Sequence, residues 1–363
     1  MLMRRSFSAT ATAAAAPPFA SASEASRVLF FGTDDVSVAT LKKLFANSQQ
    51  REGRIIDSID VICPSDRKVG GGRGSRQDPV PVKRFALDHG LDIFHTPPQL
   101  KTLKNWEMPM LDRGYDVGVV VSFGYFLHPH MLQNLAHGAI NMHPSLLPKY
   151  RGPAPIHHAL LNGDATTGVS VIEIDPRAFD VGRILLQKEF AIPEAIQCKE
   201  LSQKLADFGA DCVLETLKNL QQLKKNAVVQ DDTKACKAPK ITFQDGVLNL
   251  EHQSASQIFH RWQALSDSVG VSVQFKGKNV KLIEMRRPTA EDQEFAQEET
   301  KLAFPPGSFF FDKKRQAIWL KCSGANSSWL LVTKLQQADR KVGSAVDFAN
   351  GLRLKHAQRE AFE

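Results

Sequence analysis

The stretch Asp-Val-Gly-Val-Val-Val-Ser at residues 116–122 decides the fold class that this sequence predicts. A short, continuous run of valines is typical of a strand that is buried on both faces of a sheet. Apolar runs at 28–32 and 55–63 are also predicted to be strands, and the segments at 33–45 and 81–89 are predicted to be helices. Alternation of buried strands with helices predicts an α/β fold with a doubly wound, mostly parallel sheet.

The same alternation extends over the rest of the first 230 residues. Residues 92–95 are predicted to form a strand, and residues 100–111 are predicted to form a helix. Two further strands are predicted at 169–174 and 184–190. Apolar side chains at helical spacing predict a long helix at 198–223, which closes this domain.

The second part of the chain has a different pattern. A predicted helix at 255–265 is followed by short β-like runs that turn residues separate from one another, which is typical of a small barrel. These runs are at 269–275, 279–285, 317–322 and 329–335. We therefore predict a smaller C-terminal β-barrel of the OB-like type.

Composition divides the chain into four parts. Residues 1–26 are basic, rich in serine and alanine, and free of acidic residues before Glu24, which is typical of an organelle transit peptide. Residues 27–230 form the predicted α/β domain, residues 231–240 a polar linker, and residues 241–363 the predicted barrel. The mitochondrial matrix is the predicted destination, while chloroplast import and a tail without an address are the alternatives.

The net charge of +7 favours an anionic partner. Residues 236–363 hold 19 basic and 14 acidic residues, whereas residues 1–235 hold 27 and 25. Such an excess is compatible with nucleic acid, although many folded domains carry as much without binding any. No apolar run approaches the roughly 18–20 residues of a membrane span. The cysteines form no Cys-x-x-Cys pair and predict neither disulfides nor a zinc site: Cys63, Cys198, Cys212, Cys236 and Cys322.

Three polar residues carry groups suited to the transfer of a carbonyl group to an amine. Asn141 can donate a hydrogen bond to a developing oxyanion, and His143 can donate or shuttle a proton. Asp180 can accept a proton or orient the imidazole. Residues two apart on a strand point to the same side, so Asn141 and His143 can face one pocket at a strand's end.

Two aromatic residues and two histidines lie near these positions in the sequence. Phe123 and Tyr125 can stack on a flat heterocycle, although aromatic side chains near strand ends belong to the core more often. The adjacent His157 and His158 have no matched carboxylate, so they indicate polar surface, and no metal is predicted.

Residues 64–76 are predicted to be a loop, because glycine and charged residues are too frequent there for a packed element. The loop is either a flexible surface segment or a mobile basic lid, and it lacks the spacing of a nucleotide-binding P-loop. Four cations lie in it: Arg67, Lys68, Arg73 and Arg76.

Three segments resemble the folate-dependent formyltransferases. They are Asn-Met-His-Pro-Ser-Leu-Leu-Pro-Lys-Tyr-Arg-Gly-Pro-Ala-Pro-Ile at 141–156, Thr-Gly-Val-Ser-Val-Ile-Glu-Ile at 167–174 and Phe-Asp-Val-Gly at 179–182. The chain is most similar to those members that formylate the methionyl group on initiator tRNA. The resemblance covers roughly residues 28–235, and implies 10-formyltetrahydrofolate as donor, methionyl-tRNA as acceptor and a role in organellar translation initiation. We also expect a monomer without membrane contact.

The resemblance also implies roles for individual residues. The family's catalytic asparagine, histidine and aspartate correspond to Asn141, His143 and Asp180. The folate site is implied at Ser145, Leu146, Leu147 and Pro148, with Phe123 and Tyr125 beside it. Contacts to tRNA are implied at Arg67, Lys68, Arg73, Arg76 and Arg151.

The sequence departs from the family pattern at two places. Val181 stands where the family often has threonine, and Asp-Pro-Arg-Ala at 175–178 replaces a turn that usually contains glycine. Rival functions are formylation of glycinamide ribonucleotide, hydrolysis of formyltetrahydrofolate, and non-catalytic RNA binding on a degenerate enzyme fold. The predicted C-terminal barrel and the segment from Arg151 favour the tRNA enzyme.

Overall fold

A computed structural model describes residues 25–69, 76–98, 100–109, 114–299, 304–324, 328–354 and 358–363. The strands of its first part are β1 (Ser26–Gly32), β2 (Ile56–Pro64), β3 (Arg67–Val69), β4 (Arg76–Asp78), β5 (Ile93–Thr96), β6 (Val117–Val121), β7 (Ala139–His143), β8 (Thr166–Glu173) and β9 (Ile184–Ala191). The helices are α1 (Asp35–Ser48), α2 (Pro81–Asp88), α3 (Pro129–Leu132), α4 (Pro155–Leu161), α5 (Cys198–Lys218) and α6 (Leu220–Lys225). In this described part, seven strands form one sheet in the order β5-β2-β1-β6-β7-β8-β9, and β3 pairs with β4.

Strand β6 confirms the prediction for residues 116–122, because all of its residues are buried. It pairs in parallel with β1 and β7, and β1 pairs in parallel with β2. The pairs β7–β8 and β8–β9 are antiparallel. The sheet is therefore mostly parallel, with an antiparallel hairpin at one edge.

Side chains alternate between two covered faces of this sheet. Phe30 of β1 packs in the core that α1, α2 and α5 share, whereas Phe31 packs with Leu103 and Met131 on the opposite face. Full burial of such a side chain stabilises the fold by about 1.5–3 kcal/mol. A shift of one residue in β1 would exchange the two faces, so this pattern specifies the strand's register.

The helix predicted at 100–111 is wrong in its described part, since residues 100–109 contain no helix. Leu103 and Met108 are buried against the sheet, but their spacing of five residues does not match the helical repeat. Pro109 has no N–H with which to continue a helix.

Two further predictions need correction. The single helix predicted at 198–223 is divided at Asn219 into α5 and α6. The segment at 64–76, predicted to be a loop without packed structure, contains β3 and the start of β4, which pair antiparallel with Val69 opposite Arg76. Residues 70–75 lie outside the described part of the chain.

The C-terminal part is a curled antiparallel sheet, as expected for the OB-like barrel. Its strands are β10 (Val271–Phe275), β11 (Lys278–Arg286), β12 (Ser308–Asp312), β13 (Ala317–Lys321), β14 (Trp329–Gln337), β15 (Gly343–Ser344) and β16 (Arg359–Ala361). Its helices are α7 (Ala255–Leu265), α8 (Ala290–Glu299) and α9 (Ala345–Gly351). The order is β10-β11-β14-β13-β12-β16, and β15 pairs with β14.

The two sheets are joined by 3-10 turns at Asp232–Lys234 and Phe243–Gly246, and by contacts between α4 and α7. The amide of Gln263 donates to the backbone carbonyls of Glu194 and Ile196 at 2.9 and 2.8 Å. No helix in the described ranges is both long and apolar enough to cross a membrane.

A buried ion network ties α8 to the C-terminal sheet. Asp292 accepts hydrogen bonds from Arg286 and Arg315, and Arg315 also donates to Asp312. Burial alone would raise the pKa of Asp292, but the hydrogen bonds from both arginines and from Thr289 outweigh it and lower the pKa well below its usual value. The network therefore stabilises the fold only while Asp292 is ionised.

We expect Asp292→Asn to lower the free energy of unfolding at pH 7 by about 1.5–3 kcal/mol, because Arg286 and Arg315 lose their hydrogen bonds to an ionised carboxylate and Arg315 keeps only Asp312. Because the folded-state pKa is depressed, the stabilisation is present above the unfolded pKa near 4 and falls away as the pH drops below it. Urea unfolding from pH 7 to pH 3 measures this. The exposed Asp339→Asn is the control, and a constant gap between Asp292→Asn and the native chain across the acid range would contradict the prediction.

Candidate active site

The carboxyl ends of β6 and β7 open into a cavity of about 630 Å³. Neighbouring parallel strands that end at one edge of an open sheet form such a crevice. The walls come from the chain that follows each strand and from the connection between β8 and β9. The lining residues fall in the segments 120–127, 141–144, 152–157, 172–175 and 178–180, together with Asp34, Val36 and Ser202.

Asn141 and His143 reach this cavity together because they are two residues apart on β7. Met142 between them packs on the opposite side, where its sulfur lies against Gly209. The side-chain amide of Asn141 has no hydrogen-bond partner among the described residues and lines the cavity. Its N–H group is therefore available to a ligand oxygen.

The ring of His143 is held by one backbone group. Nε2 of His143 lies 2.9 Å from the carbonyl oxygen of Tyr150, and because a carbonyl only accepts, Nε2 carries the proton and donates it. Nδ1 is then the nitrogen left for chemistry. It lies 3.6 Å from Oδ1 of Asp180, and both side chains are largely buried.

The carboxylate of Asp180 is held by a backbone group on the side away from His143. Its Oδ2 accepts a hydrogen bond from the N–H of Gly152 at 2.9 Å. The distance of 3.6 Å between His143 and Asp180 exceeds a hydrogen bond, as is common for catalytic pairs before substrate binds. The structure therefore brings Asn141, His143 and Asp180 to one cavity.

Three residues that line the cavity or hold His143 have left-handed backbones without being glycine. They are Ser122 with φ of 49°, Tyr150 with φ of 65° and Asp180 with φ of 58°. Such conformations cost about 1–3 kcal/mol each and occur preferentially at functional sites. Ser122 is held by its hydroxyl, which donates to Asp34 at 2.5 Å.

Glycine is required at Gly182, just after Asp180. A Cβ at that position would lie 1.7 Å from the carbonyl oxygen of Glu173. Because that neighbour is backbone, it cannot move aside as a flexible side chain would. The close approach explains the glycine in the Phe-Asp-Val-Gly segment.

Aromatic rings form one wall of the cavity. Phe123 is almost fully buried and contacts Phe31 edge-on, so it serves the core as well as the cavity. Tyr125 packs beside Phe123 with ring centroids 5.4 Å apart. Phe126 and Phe179 meet edge-on at 5.1 Å, and Phe179 is 59% exposed. Neither Phe126 nor Phe179 was predicted from the sequence to belong to the site.

The residues predicted to line the folate site lie in the turn that directly follows Pro144, which itself lines the cavity. None of Ser145, Leu146, Leu147 and Pro148 is among the described residues that line the cavity. The hydroxyl of Ser145 donates to the carbonyl of Lys149 at 2.6 Å, and Ser170 donates to the carbonyl of Ser145 at 2.7 Å. These bonds hold the turn against β8.

Arg151 was predicted to contact tRNA, but its guanidinium is engaged within the chain. It donates to Gln230 and to Asp232. The other proposed tRNA contacts are on the glycine-rich segment: Arg67 and Lys68 in β3, Arg76 in β4, and Arg73, which lies outside the described residues.

The paired histidines are not simple polar surface. His157 lines the cavity, and burial, reinforced by the neighbouring His158, lowers its pKa. Nε2 of His158 donates to the carbonyl of Pro239 at 3.0 Å. Sequence reasoning also missed the carbonyl of Tyr150 and the N–H of Gly152, since backbone groups leave no signal in residue type.

The family comparison identifies the class of protein. The formyl transferase family matches residues 26–217, and the formyl transferase C-terminal domain matches residues 240–353. Together with the sheet and the cavity described above, these matches define a formyl transferase. Methionyl-tRNA formyltransferase of Caldicellulosiruptor saccharolyticus is 34% identical over 328 residues, covering 90% of this chain and 97% of the relative.

The mitochondrial methionyl-tRNA formyltransferase of Homo sapiens is 33% identical over 330 residues, covering 90% of this chain and 77% of the relative. This chain therefore belongs to the methionyl-tRNA formyltransferase family. The family's reaction is transfer of a formyl group from formyltetrahydrofolate to methionyl-tRNA, which serves translation initiation.

Solved structures share the fold. The sugar 3N-formyl transferase WlaRD has a TM-score of 0.55 at 17% identity, with 87% of this chain and 98% of that chain covered. HypX from Aquifex aeolicus has a TM-score of 0.54 at 14% identity, with 92% of this chain covered. This chain spans about half the length of HypX, since 49% of that chain is covered.

Proposed function

We propose that Asn141, His143 and Asp180 catalyse transfer of the formyl group of 10-formyltetrahydrofolate to the α-amino group of methionyl initiator tRNA. One observation carries the proposal. The unpartnered amide of Asn141 faces the same cavity in which Nδ1 of His143 lies 3.6 Å from Asp180.

The proposed step forms a bond between the amine nitrogen and the formyl carbon, and breaks the bond from that carbon to the folate nitrogen. Negative charge develops on the formyl oxygen, where the N–H of Asn141 and a protonated Nδ1 of His143 donate hydrogen bonds. Asp180 orients His143 and accepts the proton that the amine loses, directly or through water. The proton is returned to the folate nitrogen as it leaves.

The cavity suits a flat, partly apolar donor. Its volume of about 630 Å³ is within the range of small-molecule sites, about 300–1,000 Å³. Phe123, Tyr125, Phe126 and Phe179 offer ring faces and edges for a heterocycle, and the polar groups of the three catalytic residues lie in the same cavity. We propose that the donor contacts these rings, and that the turn at 145–148, which follows the lining residue Pro144, provides a further contact.

We propose that successive parts of the chain have different functions. Residues 27–230 form the catalytic domain, residues 231–240 the linker, and residues 241–363 a tRNA-binding domain. The basic excess of the C-terminal part supports this assignment. We propose the basic lid as a second tRNA contact, formed by Arg67, Lys68, Arg73 and Arg76.

We propose residues 1–26 as a transit peptide that directs the protein to the mitochondrial matrix. Their composition and the mitochondrial relatives support this, although bacterial relatives are equally similar. Fusion of residues 1–26 to a fluorescent protein distinguishes mitochondria from chloroplasts and from the cytosol. We also propose a monomer, which sedimentation of the purified chain tests.

A formyl-transfer assay with three acceptors tests the proposed function. With 10-formyltetrahydrofolate as donor, we expect rapid formylation of methionyl-tRNA and negligible reaction with glycinamide ribonucleotide or water. Comparable transfer to glycinamide ribonucleotide, or release of formate without tRNA, would favour one of the rival formyltetrahydrofolate enzymes.

For the basic lid, we expect Arg73→Ala to raise the KM for methionyl-tRNA while leaving the KM for the donor unchanged, because a phosphate contact is lost. The tRNA dependence should also become less steep with salt. Arg51→Ala is the matched control. This exposed arginine precedes the amino end of β2, whereas the basic lid follows the carboxyl end of the same strand. An unchanged KM for methionyl-tRNA would mean that Arg73 does not contribute to tRNA binding.

A further inference from the structure

Gln230 is a buried glutamine whose side chain joins two loops of the active site. Its Nε2 donates to the backbone carbonyls of Asp180 and Gly182, both at 2.8 Å. Its Oε1 accepts from Nε and Nη2 of Arg151 at 3.0 and 2.8 Å. Two donors and two acceptor bonds use the full capacity of the amide.

Both loops hold catalytic atoms. One carries Asp180 itself. The other contains Tyr150, whose carbonyl fixes Nε2 of His143, and Gly152, whose N–H fixes the carboxylate of Asp180. Arg151, which Gln230 binds, lies between those two residues. The side chain of Gln230 therefore makes hydrogen bonds to both loops that hold His143 and Asp180 in place.

The chain that follows Gln230 leads to the C-terminal sheet, and backbone hydrogen bonds attach it to the loop that contains Arg151. The N–H of Arg151 donates to the carbonyl of Cys236 at 2.9 Å, and the N–H of Ala238 donates to the carbonyl of Arg151 at 2.7 Å. The N–H of Ala154 donates to the carbonyl of Ala238 at 3.2 Å. We name residues 230–238 the strap, because backbone bonds hold it along the loop.

We propose that Gln230 is a positioning residue for formyl transfer, and that the strap couples the path of the chain into the C-terminal sheet to the distance between His143 and Asp180. The inference rests on the proposed catalytic roles of those two residues. Asp180 has a left-handed backbone, a conformation that persists only where surrounding bonds hold it. The bonds from Gln230 act on that residue's own carbonyl.

The substitution Gln230→Glu separates positioning from packing. Glutamate keeps the volume and the acceptor for Arg151, but it loses both N–H bonds to the loop of Asp180. A displacement of the order of 1 Å in a catalytic group costs about 10²-fold in rate, so we expect kcat to fall by about 10²-fold. The KM values for donor and tRNA should change by less than about threefold, because Gln230 is buried and does not line the cavity.

Three further variants complete the experiment. Gln222→Glu makes the same chemical change at an exposed glutamine of α6 and should leave kcat unchanged. Asp180→Asn measures the carboxylate itself, and the double variant Gln230→Glu/Asp180→Asn tests whether the two act through one another. If Gln230→Glu does not fold, Arg151→Met releases the other side of the same amide and should lower kcat about tenfold.

The outcomes are distinct. A fall in kcat for Gln230→Glu that disappears in the Asp180→Asn background supports the inference. An unchanged kcat, or an equal fall in both backgrounds, overturns it, since Gln230 would then be only a packing residue. If Asp180→Asn alone keeps full activity, the proposed catalytic role of Asp180 fails, whatever Gln230 does.

Discussion

Replacing His143 with alanine is expected to lower kcat for formyl transfer by about 10²–10⁴-fold. The variant loses the Nδ1 group that is proposed to donate to the formyl oxygen, and with it the partner of Asp180. It also leaves the carbonyl of Tyr150 without its hydrogen bond, which should reduce the free energy of unfolding by about 1 kcal/mol. Single-turnover transfer from 10-formyltetrahydrofolate to methionyl-tRNA measures the rate.

His252→Ala is the control for this prediction, because that histidine is exposed and lies far along the chain in the C-terminal part. Both variants should unfold cooperatively and bind tRNA as the native chain does. Full turnover by His143→Ala would remove the imidazole from the mechanism.

Replacing Asn141 with alanine is expected to lower kcat by about 10²–10³-fold with little change in stability. The amide has no hydrogen-bond partner among the described residues, so its removal leaves no protein group unpaired. The loss should therefore be confined to the rate of transfer, which separates this variant from His143→Ala. Steady-state kinetics and urea unfolding of the same preparation give both quantities.

Asn226→Ala, at the exposed end of α6, provides the matched comparison. A second variant, Asn141→Asp, keeps the shape of the side chain but offers an oxygen in place of the N–H, so it should be at least as slow as Asn141→Ala. Activity retained in Asn141→Asp would mean that the formyl oxygen is stabilised elsewhere.

The strand positions could be predicted because burial on two faces leaves a local signal. The valines of β6 have no polar alternation, and the pair Asn141 and His143 interrupts an apolar run at the end of β7. The carboxyl end of an interior strand is where a polar pair has access to a ligand. This explains why two of the three proposed catalytic residues could be selected from short segments of sequence.

The failures have a common physical cause, since they depend on contacts between distant parts of the chain. Residues 100–111 were predicted to be a helix, yet Leu103 and Met108 pack against the sheet from a segment without helix in its described part. Gln230 carried no signal in the sequence, because its partners are two backbone carbonyls and the guanidinium of Arg151, all of them far away along the chain.

The antiparallel hairpin at the edge of the first sheet places the two side chains of the proposed catalytic pair, His143 and Asp180, in parts of the fold that differ in stability. His143 sits on β7, an interior strand bonded on both sides, whereas Asp180 sits in the connection that crosses from β8 to β9. Connections of this kind open at a lower free energy than interior strands do. On warming, the carboxylate should leave its place while the strands remain paired, so formyl transfer would cease in a protein that is still folded.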